Sequence, residues 1–329
     1  MNMNHRSLLR RVTLGIIIGV IILIILALIA DIRQVSQVMA QFQWQYFLFA
    51  IGFTLLNYFL RFIKWHFYLH QIGIKSISGI ESARLFVAGF PLAITPGKVG
   101  EALKGVWLQQ RSNIPIAKGI SVVVAERISD GLAVLFLSTF GVVAYPQYWL
   151  VFVIILSLLL LIIIVSQIRP LSYWLLNILD RLPVLSKFSA PLKEFYEGSF
   201  ALFKPGATIF AVTLGVISWF GEGIGFFLIF VGLGLEPRVQ MAAESVFILA
   251  FSTVVGAASA LPGGLGAAEA SIAGMITLII NPPAAITASA TFLIRLATLW
   301  FGVSLGLLTW SFSGDLLGIK SEETKANQS

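Results

Sequence analysis

The sequence predicts an all-α integral membrane protein, with about six full transmembrane helices plus two re-entrant broken-helix hairpins in an inverted repeat. Three observations predict it. Of 329 residues, 58% are hydrophobic and only 11% are charged. A soluble domain is about half apolar and about a quarter charged, so there is too little polar sequence here to cover a soluble surface. The apolar residues also fall into runs near the roughly 20 that a helix needs to cross a hydrocarbon core about 30 Å thick. Finally, two of these runs are interrupted by Pro-Gly clusters of similar pattern.

In chain order, the first span is residues 12–30, preceded by His5, Arg6, Arg10 and Arg11. It is too long for a signal-peptide core and lacks a small-x-small cleavage site, so it is expected to be retained with its N-terminus in the cytoplasm. Further spans are expected at 46–69, 119–145, 149–166, 207–231 and 284–312. Residues 82–108 are apolar but broken at Thr95-Pro96-Gly97-Lys98-Val99-Gly100-Glu101, and residues 243–280 at Leu261-Pro262-Gly263-Gly264-Leu265-Gly266. Proline removes a helical hydrogen bond and glycine permits tight reversals. Irregular backbone at membrane depth persists only where protein or a water-filled cavity covers it. Residues 167–206, with scattered bases and prolines, form an amphipathic cytoplasmic connector, and residues 313–329 a polar, disordered cytoplasmic tail. Residues 1–312 therefore read as one polytopic domain with halves at about 46–166 and 207–312.

Charge sets the direction of each crossing. The formal balance is 22 Lys+Arg against 15 Asp+Glu, or +7. With the N-terminus inside and both broken runs treated as hairpins, thirteen basic residues fall in cytoplasmic segments, against Arg33 and Arg238 outside. This follows the positive-inside rule. Treating either hairpin alone as a full span moves a basic segment to the wrong side. The expected location is a cell (plasma or inner) membrane, with both termini cytoplasmic.

The two broken runs resemble each other. Pro-Gly-x-x-Gly begins at Pro96 and again at Pro262, and an intramembrane Arg follows each, Arg127 31 residues after Pro96 and Arg295 33 residues after Pro262. The first hairpin would enter from the cytoplasm and the second from outside. That is the pattern of an inverted-topology repeat, whose broken helices meet near the midplane and form a substrate site.

An ionisable group at bilayer depth costs about 2.5–3.5 kcal/mol on insertion scales, yet several lie near the breaks. Asn57, Arg61 and Lys64 share one helix face by spacing; either the two bases snorkel to headgroups or they line an anion site. Lys98, Glu101 and Lys104 follow the first turn. Glu101 and Lys104 would pair with each other, or the turn, opening a helix with free N–H groups and a positive dipole end, would join Lys98 in binding phosphate. Glu126 and Asp130 share a face with Arg127 about 100° away. They are either an internal ion-pair network or the support for Arg127 as a phosphate ligand, a task its planar fork suits. Glu269 and Arg295 are the economical pair in the second half, matching a Glu101–Arg127 pair in the first. Glu222 sits deep among Gly221, Gly223 and Gly225, as a hydrogen-bonded structural group or a proton-coupling one.

These motifs together, Asn57…Arg61…Trp65, Thr95–Glu101, Glu126-Arg127-x-x-Asp130 and Leu261–Gly266…Glu269, resemble the lysylphosphatidylglycerol synthase transmembrane region, the flippase-like domain of MprF-type proteins. The resemblance covers about residues 12–312. It implies translocation of a phospholipid or polyprenyl-linked lipid between leaflets. Only a short tail follows Phe312, so a stand-alone form without the aminoacyl-transferase domain is expected, and the aminoacylated lipid of MprF is not carried over. One departure is that Glu269 comes three residues after Gly266, whereas Glu101 directly follows Gly100.

The expected site has a phosphate lining of Arg61, Lys64, Lys98, Lys104, Arg127 and Arg295, a charge network of Glu101, Glu126, Asp130 and Glu269, and turns at Pro96, Gly97, Gly100, Pro262, Gly263, Gly264 and Gly266. With no Cys and only His5, His66 and His70, no metal, cofactor or catalytic residue is expected. No nucleotide-binding motif is present. Membrane lipids are the expected partners and nucleic acid is not; a homo-oligomer and a lipid- or glycan-synthesis enzyme stay open as partners. Three alternatives remain: an accessory subunit of lipid or glycan synthesis, a secondary transporter of small solutes, and a lipid-modifying enzyme.

Overall fold

The computed structural model describes residues 5–29, 31–95, 100–144, 149–181 and 186–316. Every regular element among the described residues is helical. In chain order these are α1 (His5–Ile29), α2 (Ile32–Gln41), α3 (Trp44–Gln71), α4 (Gly79–Ala88), α5 (Leu103–Ser112), α6 (Ile116–Ala144), α7 (Trp149–Gln167), α8 (Arg169–Asp180), α9 (Ser189–Leu202), α10 (Pro205–Gly232), α11 (Val239–Ala258), α12 (Ala267–Ile279), α13 (Ala284–Arg295) and α14 (Phe301–Ser311). Short 3₁₀ turns at Phe90–Ile94 and Pro262–Gly264 mark the two breaks.

Five helical stretches are long and apolar enough to cross a membrane: Trp44–Gln71, Pro205–Gly232, Val239–Ala258, Pro262–Ile279 and Ala284–Ser311. A sixth is added if the pair Phe152–Gln167 and Arg169–Ile178, bent by 92°, counts as one. Large apolar side chains on these helices, such as Leu48, Phe59, Ile154 and Ile209, are more than half exposed, as lipid-facing residues are. The set differs from the sequence expectation in three places. Of the first expected span, Val12–Ile22 is an apolar helix shorter than a crossing needs. Both limbs of the second broken run are long enough to span, and a pair of full spans returns the chain to its starting side just as a re-entrant loop does. Helix α6 has the length, with 29 residues, but carries Glu126, Arg127 and Asp130 in its middle.

The chain forms two compact units: residues 1–56, 84–101 and 221–329, and residues 57–83 and 102–220. In the first, α11 and α12 pack against each other where Gly256 meets Ala268 and the backbone of Gly264. The turn between them needs left-handed backbone, with φ of 61° at Gly263, 67° at Gly264 and 86° at Gly266, which explains the glycine run. The two breaks touch here: Phe90–Ile94 packs on Pro262–Gly264, with Ile94 against Gly263. Helix α14 closes over the first break, with Gly306 on Pro91 and Trp310 Nε1 donating to the Ala88 carbonyl at 2.8 Å. A π turn at Leu296–Trp300 follows Arg295 and links α13 to α14. The start of the polar segment after residue 312 is folded: Ser313 is buried and Arg84 Nε donates to its Oγ at 2.7 Å, with Asp315 pairing to the same Arg84.

In the second unit α6 is the centre. Helix α5 approaches it through Gly105 and Gly119, α9 through Gly198 against Ser121, and α10 through Gly215 against Ala133. Helix α7 turns sharply into α8 because Pro170 has no N–H to continue the ladder, and Ser172 Oγ instead donates to the Val165 carbonyl at 2.8 Å. Helix α8 lies against α9, where Tyr173 donates to Glu197 at 2.5 Å.

Candidate functional site

In the second unit, three helices bring six charged side chains together. Glu126 and Asp130 lie one turn apart on α6, and Arg61 and Lys64 about one turn apart on α3. Arg61 Nη2 donates to Glu126 Oε1 at 2.8 Å and lies 3.4 Å from Asp130 Oδ2, so it bridges both carboxylates. Lys64 donates to Asp130 Oδ1. From α5, Lys104 Nζ reaches Glu126 Oε2 at 3.5 Å and sits 4.8 Å from the Trp65 ring. Arg127 lies 3.9 Å from Glu126. Glu126 is ten residues into α6, about 15 Å along its axis from the first turn.

Burial ranks these groups. The Lys64 and Glu126 side chains are fully buried and Lys104 nearly so, while Arg127 keeps 33% of its side-chain surface. Lys64 therefore does not snorkel; its ammonium is held inside by Asp130. The sequence leaves Glu126 and Asp130 as either an internal ion-pair network or the support for Arg127. The structure gives most of their hydrogen bonding to α3, and leaves Arg127 at the open edge of the cluster. Behind it, Asn57 is buried a turn before Arg61, and the Arg61 guanidinium lies 6.0 Å from the Trp219 ring. Trp219 was not singled out in the sequence, since one aromatic in a long apolar run carries no pattern of its own.

The first unit holds a second, smaller assembly. Arg295 Nε donates to Glu269 Oε1 at 2.6 Å, and its Nη2 to the Gly263 carbonyl at 3.2 Å. The other carboxylate oxygen, Glu269 Oε2, accepts from the Gly266 N–H at 2.7 Å and so caps α12. This unit also contains Glu101 and Glu222, both buried, and Gly100, whose N–H donates to Thr95 Oγ1 at 2.9 Å. Pro96, Gly97 and Lys98 lie outside the described residues. Among the described residues no group of three or more His, Cys, Asp or Glu is arranged to hold a metal ion.

Residues 13–306 match the family described as the lysylphosphatidylglycerol synthase TM region. The chain belongs to this family. It is similar to a UPF0104 membrane protein of Methanothermobacter thermautotrophicus, at 25% identity over 90% of this chain and 92% of that one. A UPF0104 membrane protein of Methanocaldococcus jannaschii is 26% identical over 56% of this chain and 78% of its own. A shorter stretch, 38% of this chain, is 25% identical to 20% of the glycosyltransferase AglD of Haloferax volcanii. No solved structure matches. This is a multi-pass membrane protein of that family.

Proposed function

We propose that the protein is a flippase-like transporter that moves an anionic phospholipid or a polyprenyl-phosphate-linked lipid between the leaflets of the cell membrane, with both termini cytoplasmic. The observation that carries this reading is the cluster of Arg61, Lys64, Lys104 and Arg127 around Glu126 and Asp130, built in part on α3, which is long and apolar enough to cross a membrane. Each such group is costly at bilayer depth, and well-packed apolar residues hold helices together as well as buried ion pairs do. Such a cluster is therefore best explained by use. In this account Glu126 and Asp130 hold the bases in orientation, and Arg127, the most exposed base, makes first contact with the phosphate through two parallel N–H donors. A fixed set of charges that replaces water around the headgroup lowers the barrier to its crossing, while the acyl chains stay in lipid. The Glu269–Arg295 pair holds the second turn in shape, with any part of Arg295 in phosphate contact secondary to that.

The test is reconstitution into liposomes carrying a headgroup-labelled phosphatidylglycerol that dithionite quenches. In protein-free vesicles only the outer leaflet is quenched; with the protein, the inner leaflet should follow. The similarity to part of AglD favours a second reading, an accessory membrane domain in glycan synthesis. On that reading the inner leaflet stays protected and the protein co-purifies with a glycosyltransferase.

A further inference from the structure

Three buried hydrogen-bond donors beside the cluster have no hydrogen-bond partner among the described residues. They are Asn57 Nδ2, Arg61 Nε and Trp219 Nε1, and the acceptor Asn57 Oδ1 is unpartnered as well. They lie close together: Asn57 precedes Arg61 by one turn on α3, and the Arg61 guanidinium faces the Trp219 ring at 6.0 Å. Asn57 is 1% exposed. Unpaired polar groups in a protein interior are rare, and inside a membrane bundle bulk water cannot serve them. Three such atoms around one arginine call for a single occupant.

From this arrangement we infer a headgroup subsite that reads hydroxyls. Its occupant must accept from N–H groups on three nitrogens and donate one proton to Asn57 Oδ1. A bare phosphodiester only accepts. A phosphate ester carrying free hydroxyls, a polyol or sugar phosphate, does both. Arg61 Nη2 already donates to Glu126 and lies 3.4 Å from Asp130 Oδ2, so the Nε–H is left to turn toward the ligand. The Trp219 ring, set against the guanidinium, forms one wall. Each donor exposes less than 1 Å², so entry requires Trp219 or Arg61 to swing aside, and the subsite closes around what it holds. This inference rests on the lipid-transport reading for the origin of the headgroup. It adds Asn57 and Trp219 as residues that decide which headgroup is held.

The experiment uses the full chain in nanodiscs and compares two lipids of equal charge, phosphatidylinositol, which has free hydroxyls, and phosphatidylmethanol, which has none. Free inositol 1-phosphate is the competitor that separates a soluble ligand from a lipid one. Wild type should retain phosphatidylinositol over phosphatidylmethanol by roughly tenfold, the worth of one or two hydrogen bonds. Trp219→Phe, which keeps the ring and removes the N–H, and Asn57→Leu should each erase most of that preference. Competition by inositol 1-phosphate at concentrations comparable to the lipid would place the ligand in solution and overturn the lipid assignment. Variants that keep the wild-type preference, or a wild type with none, would overturn the subsite; in that case Asn57→Leu should raise the Tm, the signature of a buried amide served only by trapped water. Preference lost in both variants, in a protein that moves no lipid in liposomes, would support the subsite and sink the transport reading.

Discussion

Lys64 shows how much of the site depends on single pairings. Its ammonium is fully buried and its partner is Asp130, which Arg61 also approaches. Removing one member of a buried pair strands the other, at about 3–5 kcal/mol. Because Arg61 partly compensates, Lys64→Met should fall at the lower end, about 3 kcal/mol. The double variant Lys64→Met/Asp130→Leu should recover most of it, since two apolar groups leave nothing unpaired. Thermal unfolding of the purified variants in detergent checks the order; a double variant less stable than the single would contradict it. Glu269 does two jobs, pairing with Arg295 and capping α12. Glu269→Gln keeps an acceptor for the Gly266 N–H but loses the ionic partner, and should therefore be milder than Glu269→Ala in the same measurement.

At the scale of elements, the second break is a turn that glycine alone fits. A Cβ on Gly264 would lie 3.0 Å from the Gly256 Cα and 3.1 Å from its carbonyl oxygen, at a φ of 67°. Gly264→Ala should cost about 2 kcal/mol or more, from left-handed strain and overpacking together. Gly274, inside α12, has open space around it, and Gly274→Ala should be neutral or stabilising by about 0.5–1 kcal/mol. Equal melting temperatures for the two variants would show that the turn is not held as described. The break itself was legible in the sequence, because Pro and clustered Gly report on backbone directly. That the two breaks meet was expected from their shared Pro-Gly pattern; that they do so through Phe90–Ile94, with Ile94 on Gly263, was not, since these apolar atoms leave no mark of their own.

For the molecule as a whole, composition and run length were enough to read an all-helical membrane protein, because crossing a bilayer constrains every residue of a span. The charge cluster was legible in its members and not in its partners. Arg61 and Glu126 stand 65 positions apart, and only the packing of α3 on α6 joins them. Whether Lys64 snorkelled or turned inward depended on that packing too. The proposed orientation rests on the basic residues of segments such as the connector. The chain has no Cys, so single cysteines placed at exposed Lys187 and Glu236 should react with an impermeant maleimide from opposite sides, Lys187→Cys from the cytoplasm. Labelling of both from one side would overturn the topology. The central claim, that intramembrane bases carry a lipid phosphate across, is met most directly by the rate of leaflet exchange in liposomes for Arg127→Ala against wild type, at matched protein content and matched Tm. A charge-assisted contact of the expected strength predicts a roughly ten- to hundredfold loss of rate, with Arg127→Lys in between. An Arg127→Ala protein that is folded and moves lipid at the wild-type rate would contradict the account.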